Sequence, residues 1–138
     1  MADVAIALRW TGVGQEFRGG ATGEGRPEVT IDGVGRAGPS PMQTLLLALA
    51  AYSGADVVEI LGKMRVPLSG LEVEVEGERV PEPPRRYTAV RIRYRARGVP
   101  AEAEDRLRRA VALSQEKYCS VLHTLRPDVV VESDVALQ

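Results

Sequence analysis

Cysteine is almost missing: Cys119 is the only one in 138 residues. That excludes an internal disulfide and argues against a cysteine-based metal site within one chain. No metal or other cofactor is expected. Net charge is also scarce. Lysine plus arginine number 18 against 19 acids, for a formal charge of −1. No global field draws the chain to nucleic acid or to an anionic membrane. Long hydrophobic runs are lacking too. The richest, residues 45–51, falls far short of the ~20 residues that cross a bilayer. The N-terminus carries no basic region followed by an apolar run, so a cytoplasmic protein is expected. Asparagine is absent and arginine far outnumbers lysine, as a thermophilic source or a GC-rich genome would both produce.

Residues 39–52 stand out against this background. Ser40 suits an N-cap, Pro41 the first helical position, and Gln43 completes a capping box. From Leu45 to Ala51 the predicted helix is apolar on every side, and such a helix must be buried on every side. A second copy of the chain covers it most simply, so a homodimer is expected. The helix is predicted over 41–64, with a weak point at Gly54 and a stop at Val66-Pro67.

Alternating patterns predict strands over 4–10, 15–18 and 28–31, then over 71–76, 88–97 and 129–136. A helix is expected from about residue 100 and a helical stretch over 116–125. Strands joined by the short turn at Pro83-Pro84 should pair antiparallel, giving an α+β class in a single domain, 1–138.

Four groups of residues invite a functional reading. Gly33 to Gly38 spell G-x-G-x-x-G, but Pro39 and Pro41 delay the helix past the last glycine, so a loop is preferred to a dinucleotide site. Arg91, Arg93, Arg95 and Arg97 could bind phosphates. Folding the hairpin about Pro84-Arg85 instead sets them opposite Glu78, Glu76, Glu74 and Glu72, which predicts a neutral charge ladder and no nucleic-acid surface. Cys119, His123 and Arg126 are spaced i, i+4, i+7, where imidazole and guanidinium would activate a thiol; taken alone, the spacing is better read as a buried cysteine and a structural histidine. Tyr52 shares a stripe with Asp56, Glu59 and Lys63, either lining a pocket or ending the core.

Two segments together resemble one family. Gly38-Pro39-Ser40-Pro41-Met42, leading into a helix with Ser53 and Asp56-Val57-Val58, is similar to the central helix of the OsmC/Ohr family. Ser114-Gln115-Glu116-Lys117-Tyr118-Cys119-Ser120-Val121 is similar to its second cysteine segment. The resemblance spans essentially the whole chain and is strongest to the small, YhfA-like branch. It implies an OsmC-like fold in which an antiparallel sheet wraps a long central helix, an intertwined homodimer, and reduction of organic hydroperoxides by a cysteine pair. Tyr52 stands where the family's peroxidatic cysteine is expected, and Cys119 matches the resolving one. The assisting glutamate falls near Met42 and Gln43, neither a carboxylate, and Arg18 is the candidate for the assisting arginine.

Peroxide reduction needs a thiolate that climbs to a sulfenic acid. A phenol, which ionises near pH ~10, offers almost no anion at neutral pH and cannot follow that path. Three readings remain. The first lacks the standard activity and keeps a pocket, lined by Tyr52, Met42 and Gln43, for a small hydrophobic ligand. The second is a one-cysteine peroxidase acting on organic hydroperoxides through Cys119, with His123 and Arg18 assisting. The third is a structural or interaction protein.

Overall fold

The computed structural model describes residues 2–138. The chain is α+β and forms two compact units, one ending at Leu45 and the other running over Leu46–Gln138.

The first unit is a three-stranded antiparallel sheet, β1 (Ile6–Trp10), β2 (Glu16–Ala21) and β3 (Val29–Asp32), in the order β1-β2-β3. Trp10 pairs with Phe17, Leu8 with Gly19, and Phe17 with Ile31. Directly paired residues share a face, so one side of this sheet is apolar. The other carries Arg9, Arg18 and Thr30, and Glu28 binds Arg9 there. After β3 the glycine-rich loop closes on Asp32. Its carboxylate accepts the N–H groups of Val34, Arg36 and Ala37 at 3.0, 3.2 and 3.0 Å. The loop amides that a phosphate would need are therefore already bound, which is the physical reason to read this glycine motif as a turn.

Helix α1 (Pro41–Lys63) begins as its cap residues dictate. Ser40 Oγ accepts the Gln43 N–H at 3.2 Å, and Gln43 Oε1 accepts the Ser40 N–H at 2.9 Å. The helix runs unbroken through Gly54. There the glycine serves packing, because a Cβ would sit 3.3 Å from Val73 of the sheet below. Leu49, Ser53, Val57 and Leu61 form the buried stripe at four-residue spacing. By length and composition alone α1 could cross a membrane, a test that a core helix also passes.

The second unit holds β4 (Gly70–Arg79), β5 (Tyr87–Arg97), α2 (Glu104–Leu113), a π turn over Ser114–Tyr118, α3 (Ser120–Thr124) and β6 (Val130–Leu137), in the sheet order β4-β5-β6. Its core joins Leu49, Val57 and Leu61 of α1 to Val90, Ile92, Tyr94 and Ala96 of β5 and to Leu107, Ala110 and Val111 of α2.

Three details differ from the sequence reading. The hairpin register is displaced by two residues: Glu72 faces Arg95, Glu74 faces Arg93 and Glu76 faces Arg91. A two-residue slip keeps every side chain on its face, so alternation could not detect it. The last strand pairs parallel to β5, because the chain returns through α2 and α3 rather than a tight turn. That pairing places Glu132 beside Arg91 at 3.2 Å and Asp134 beside Arg93 at 3.3 Å. Finally, the segment near residue 119 is broken into a π turn and one short helix rather than a continuous stretch over 116–125.

Candidate functional site

The second unit contains a cleft of about 500 Å³ along α1, lined by Tyr52, Asp56, Glu59, Ile60, Lys63, Met64, Leu113 and Tyr118. Helical spacing sets Tyr52, Asp56, Glu59 and Lys63 on one stripe, and the π turn brings Tyr118 to the same opening. Lys63 Nζ pairs with Glu59 at 3.2 Å. Tyr52 accepts a hydrogen bond from Ser120 Oγ at 3.2 Å, so the phenol reaches the residue next to Cys119 within one chain.

Cys119 is fully buried. The π turn ends on it, with its N–H donating to Ser114 O at 2.8 Å. Its sulfur then caps α3 by accepting the Leu122 N–H at 3.4 Å. Burial pushes the thiol pKa up; the Leu122 amide opposes this, while the Asp56 carboxylate adds to the rise. Such a group stays protonated at neutral pH.

His123 directs both ring nitrogens at backbone oxygens, Nδ1 at Cys119 O (2.9 Å) and Nε2 at Glu116 O (3.1 Å). Arg126 lies beyond α3, so the helical face expected for Cys119, His123 and Arg126 stops short of the arginine, which pairs with Asp128 at 3.1 Å. Arg18, Met42 and Gln43 belong to the first unit. Arg18 binds Thr30 and lies 3.9 Å from Glu28. Gln43 is engaged in the helix cap, and Met42 is half-buried in the first turn of α1. The cleft lining includes neither.

The sequence reading missed a buried polar chain behind the cleft. Gln115 Nε2 donates to Tyr94 Oη at 3.2 Å, Tyr94 Oη and Ser53 Oγ are 2.6 Å apart, Ser53 Oγ and Ser114 Oγ are 2.9 Å apart, and Ser114 Oγ donates to Asp56 Oδ2 at 2.9 Å. Tyr94 was the available signal. It interrupts the apolar face of β5 with a hydroxyl that, once buried, needs a partner. Among the described residues no group of His, Cys, Asp and Glu side chains could hold a metal ion.

Comparison with known proteins agrees with this architecture. The family model described as "OsmC-like protein" matches residues 33–134. Protein YhfA of Escherichia coli K12 is 39% identical over 95 residues, covering 68% of this chain and 70% of that protein. A hypothetical protein from Aquifex aeolicus superposes with a TM-score of 0.80 at 29% identity, covering 100% of this chain and 99% of its own. An organic hydroperoxide resistance protein OsmC from Legionella pneumophila shares the fold, with a TM-score of 0.67 at 16% identity over 99% and 98% of the two chains. By sequence match over most of its length and by fold, the chain belongs to the OsmC-like family.

Proposed function

We propose that this OsmC-family protein has left the two-cysteine peroxidase cycle and holds a small apolar ligand in the cleft beside Tyr52, as a cytoplasmic homodimer. One observation carries the reading. The only thiol is sealed, kept protonated and used as a helix cap, while the neighbouring position at the cleft presents a phenol. In the two-cysteine cycle a thiolate attacks the O–O bond, the alcohol leaves, and a second thiol displaces water from the sulfenic acid to close a disulfide. One cysteine per chain cannot close that disulfide within the subunit.

Two uncovered apolar surfaces support a second copy. On the β1–β2–β3 sheet, Ile6, Leu8, Trp10, Phe17 and Val29 are exposed, Trp10 to 58%. On α1, Leu47 and Val58 remain exposed beside Ala48, Ala51 and Ala55. Apolar patches of this kind mark interaction surfaces.

The test is consumption of cumene hydroperoxide with dithiothreitol as reductant. The native protein should show no turnover above background, and Tyr52→Cys should restore part of it. Native turnover abolished by Cys119→Ser would establish the one-cysteine enzyme instead. Light scattering should give twice the chain mass; a monomer in dilute solution would remove the dimer.

A further inference from the structure

We propose that the cleft selects small apolar molecules whose headgroup donates a hydrogen bond, an alcohol or an amine, and rejects carboxylates. This rests on the reading of the cleft as an apolar-ligand site.

Its volume, about 500 Å³, suits a small molecule. Ile60, Met64 and Leu113 supply apolar wall, and Tyr52 and Tyr118 supply aromatic surface. Three charges line it. Lys63 is held by Glu59, one turn away on α1. Lys117 lies outside the lining, 5.2 Å above the Tyr118 ring. Asp56 has no ion pair among the described residues.

Asp56 meets the protein on one side only. Ser114 gives its single hydroxyl proton to Oδ2. Ser114 Oγ must then accept from Ser53, and Ser53 from Tyr94, whose oxygen accepts from the Gln115 amide. Every proton in this chain points toward Asp56, and no buried side-chain oxygen or nitrogen among the described residues lacks a partner. The hydroxyl chain therefore has no further proton to offer Oδ1, and the Ser114 bond is the one side-chain hydrogen bond to this carboxylate among the described residues. Asp56 also lines the cleft, so a donor bound there can reach this carboxylate.

Tyr52 lies one turn before Asp56 and accepts from Ser120, so it keeps its own proton to donate. Donor and acceptor thus stand side by side. An alcohol satisfies both, and an amine satisfies Asp56. A carboxylate can only accept, and it meets like charge.

The test uses the full chain and a neutral fluorescent probe, N-phenyl-1-naphthylamine, displaced by 1-octanol, octylamine or octanoate at neutral pH. Octanol and octylamine should displace it at about tenfold lower concentration than octanoate, a difference of about 1.4 kcal/mol. Asp56→Asn should remove most of that gap, since the amide can still accept from Ser114 and no longer repels an anion. Ile60→Trp should weaken all three by filling the cleft. Equal displacement by the three ligands, or an unchanged gap in Asp56→Asn, overturns the headgroup selection and leaves the apolar-ligand reading standing. Failure of the probe and all three ligands to bind overturns that reading and this inference together.

Discussion

Cys119 Sγ accepts the backbone N–H of Leu122 at 3.4 Å, so the only thiol in the chain serves as the N-cap of α3. Its N–H is meanwhile bound to Ser114 O. Cys119→Ser should keep the cap and change stability little, because serine is a strong N-cap, whereas Cys119→Ala should cost about 1 kcal/mol. Urea unfolding checks both. A thiol reagent such as dithiobis-nitrobenzoate should react slowly with the native protein and quickly in urea.

The same thiol predicts a pH effect. Its folded pKa is raised, chiefly by burial, so the folded state holds the proton after the unfolded chain has released it. Its stabilising contribution is complete below the ordinary thiol pKa, about 8.5, and is lost as pH rises toward the folded value. The urea midpoint of the native protein should fall faster than that of Cys119→Ser between about pH 8 and 10. Parallel curves would count against a buried, protonated thiol.

The Tyr94–Ser53–Ser114 chain should behave as a unit. Ser53→Ala leaves two buried hydroxyls short of a partner and should cost about 1–3 kcal/mol. Tyr94→Phe removes one of those hydroxyls. The double variant should therefore lose less than the sum of the two single losses. Strict additivity in urea unfolding would show that the hydroxyls act independently.

Asp32 should set the acid limit of the first unit. Backbone N–H groups of Ala37 and Val34 lead in holding its carboxyl below the ordinary carboxylate pKa. A lowered folded value contributes stability above the unfolded pKa, near ~3.9, that disappears as pH falls through the folded one. Asp32→Ala should lower Tm at neutral pH, and that deficit should shrink under strongly acidic conditions. A deficit independent of pH would remove the carboxylate from the account of the loop.

Arg93 lies between Asp134, at 3.3 Å, and Glu74, at 4.0 Å. Arg93→Glu should destabilise the sheet by up to about 1 kcal/mol, as expected for exposed pairs. Salt near 1 M, where charges are screened beyond ~3 Å, should recover most of the loss. The native protein should not bind duplex DNA at physiological salt, because acids on both neighbouring strands neutralise the arginine row. Strong, salt-sensitive binding would overturn the ladder.

Some features could be read directly. Ser40 and Gln43 announced a capping box, and both hydrogen bonds are present. The Glu/Arg alternation identified two strands with one charged face, which β4 and β5 display. Other features could not. Cys119, His123 and Arg126 fit one helical face only if the helix is continuous, and the π turn breaks that premise. Ser53 and Asp56 entered the reading as motif letters, without roles. Their partners Tyr94 and Ser114 lie 41 to 61 residues away in the chain.

The amino-acid order alone determined where α1 starts, which faces of β4 and β5 are wet, and which family the chain joins. Caps and periodicities act over a few residues, and motif spacing survives in one dimension. Folding in three dimensions decided which glutamate meets which arginine, that β6 runs parallel to β5, and that Cys119 is fully buried with its N–H on Ser114 O. A slip of two residues preserves every local pattern, and the polar chain exists only where distant segments pack. Those outcomes are set by contacts between segments far apart in sequence, so local pattern could not reveal them.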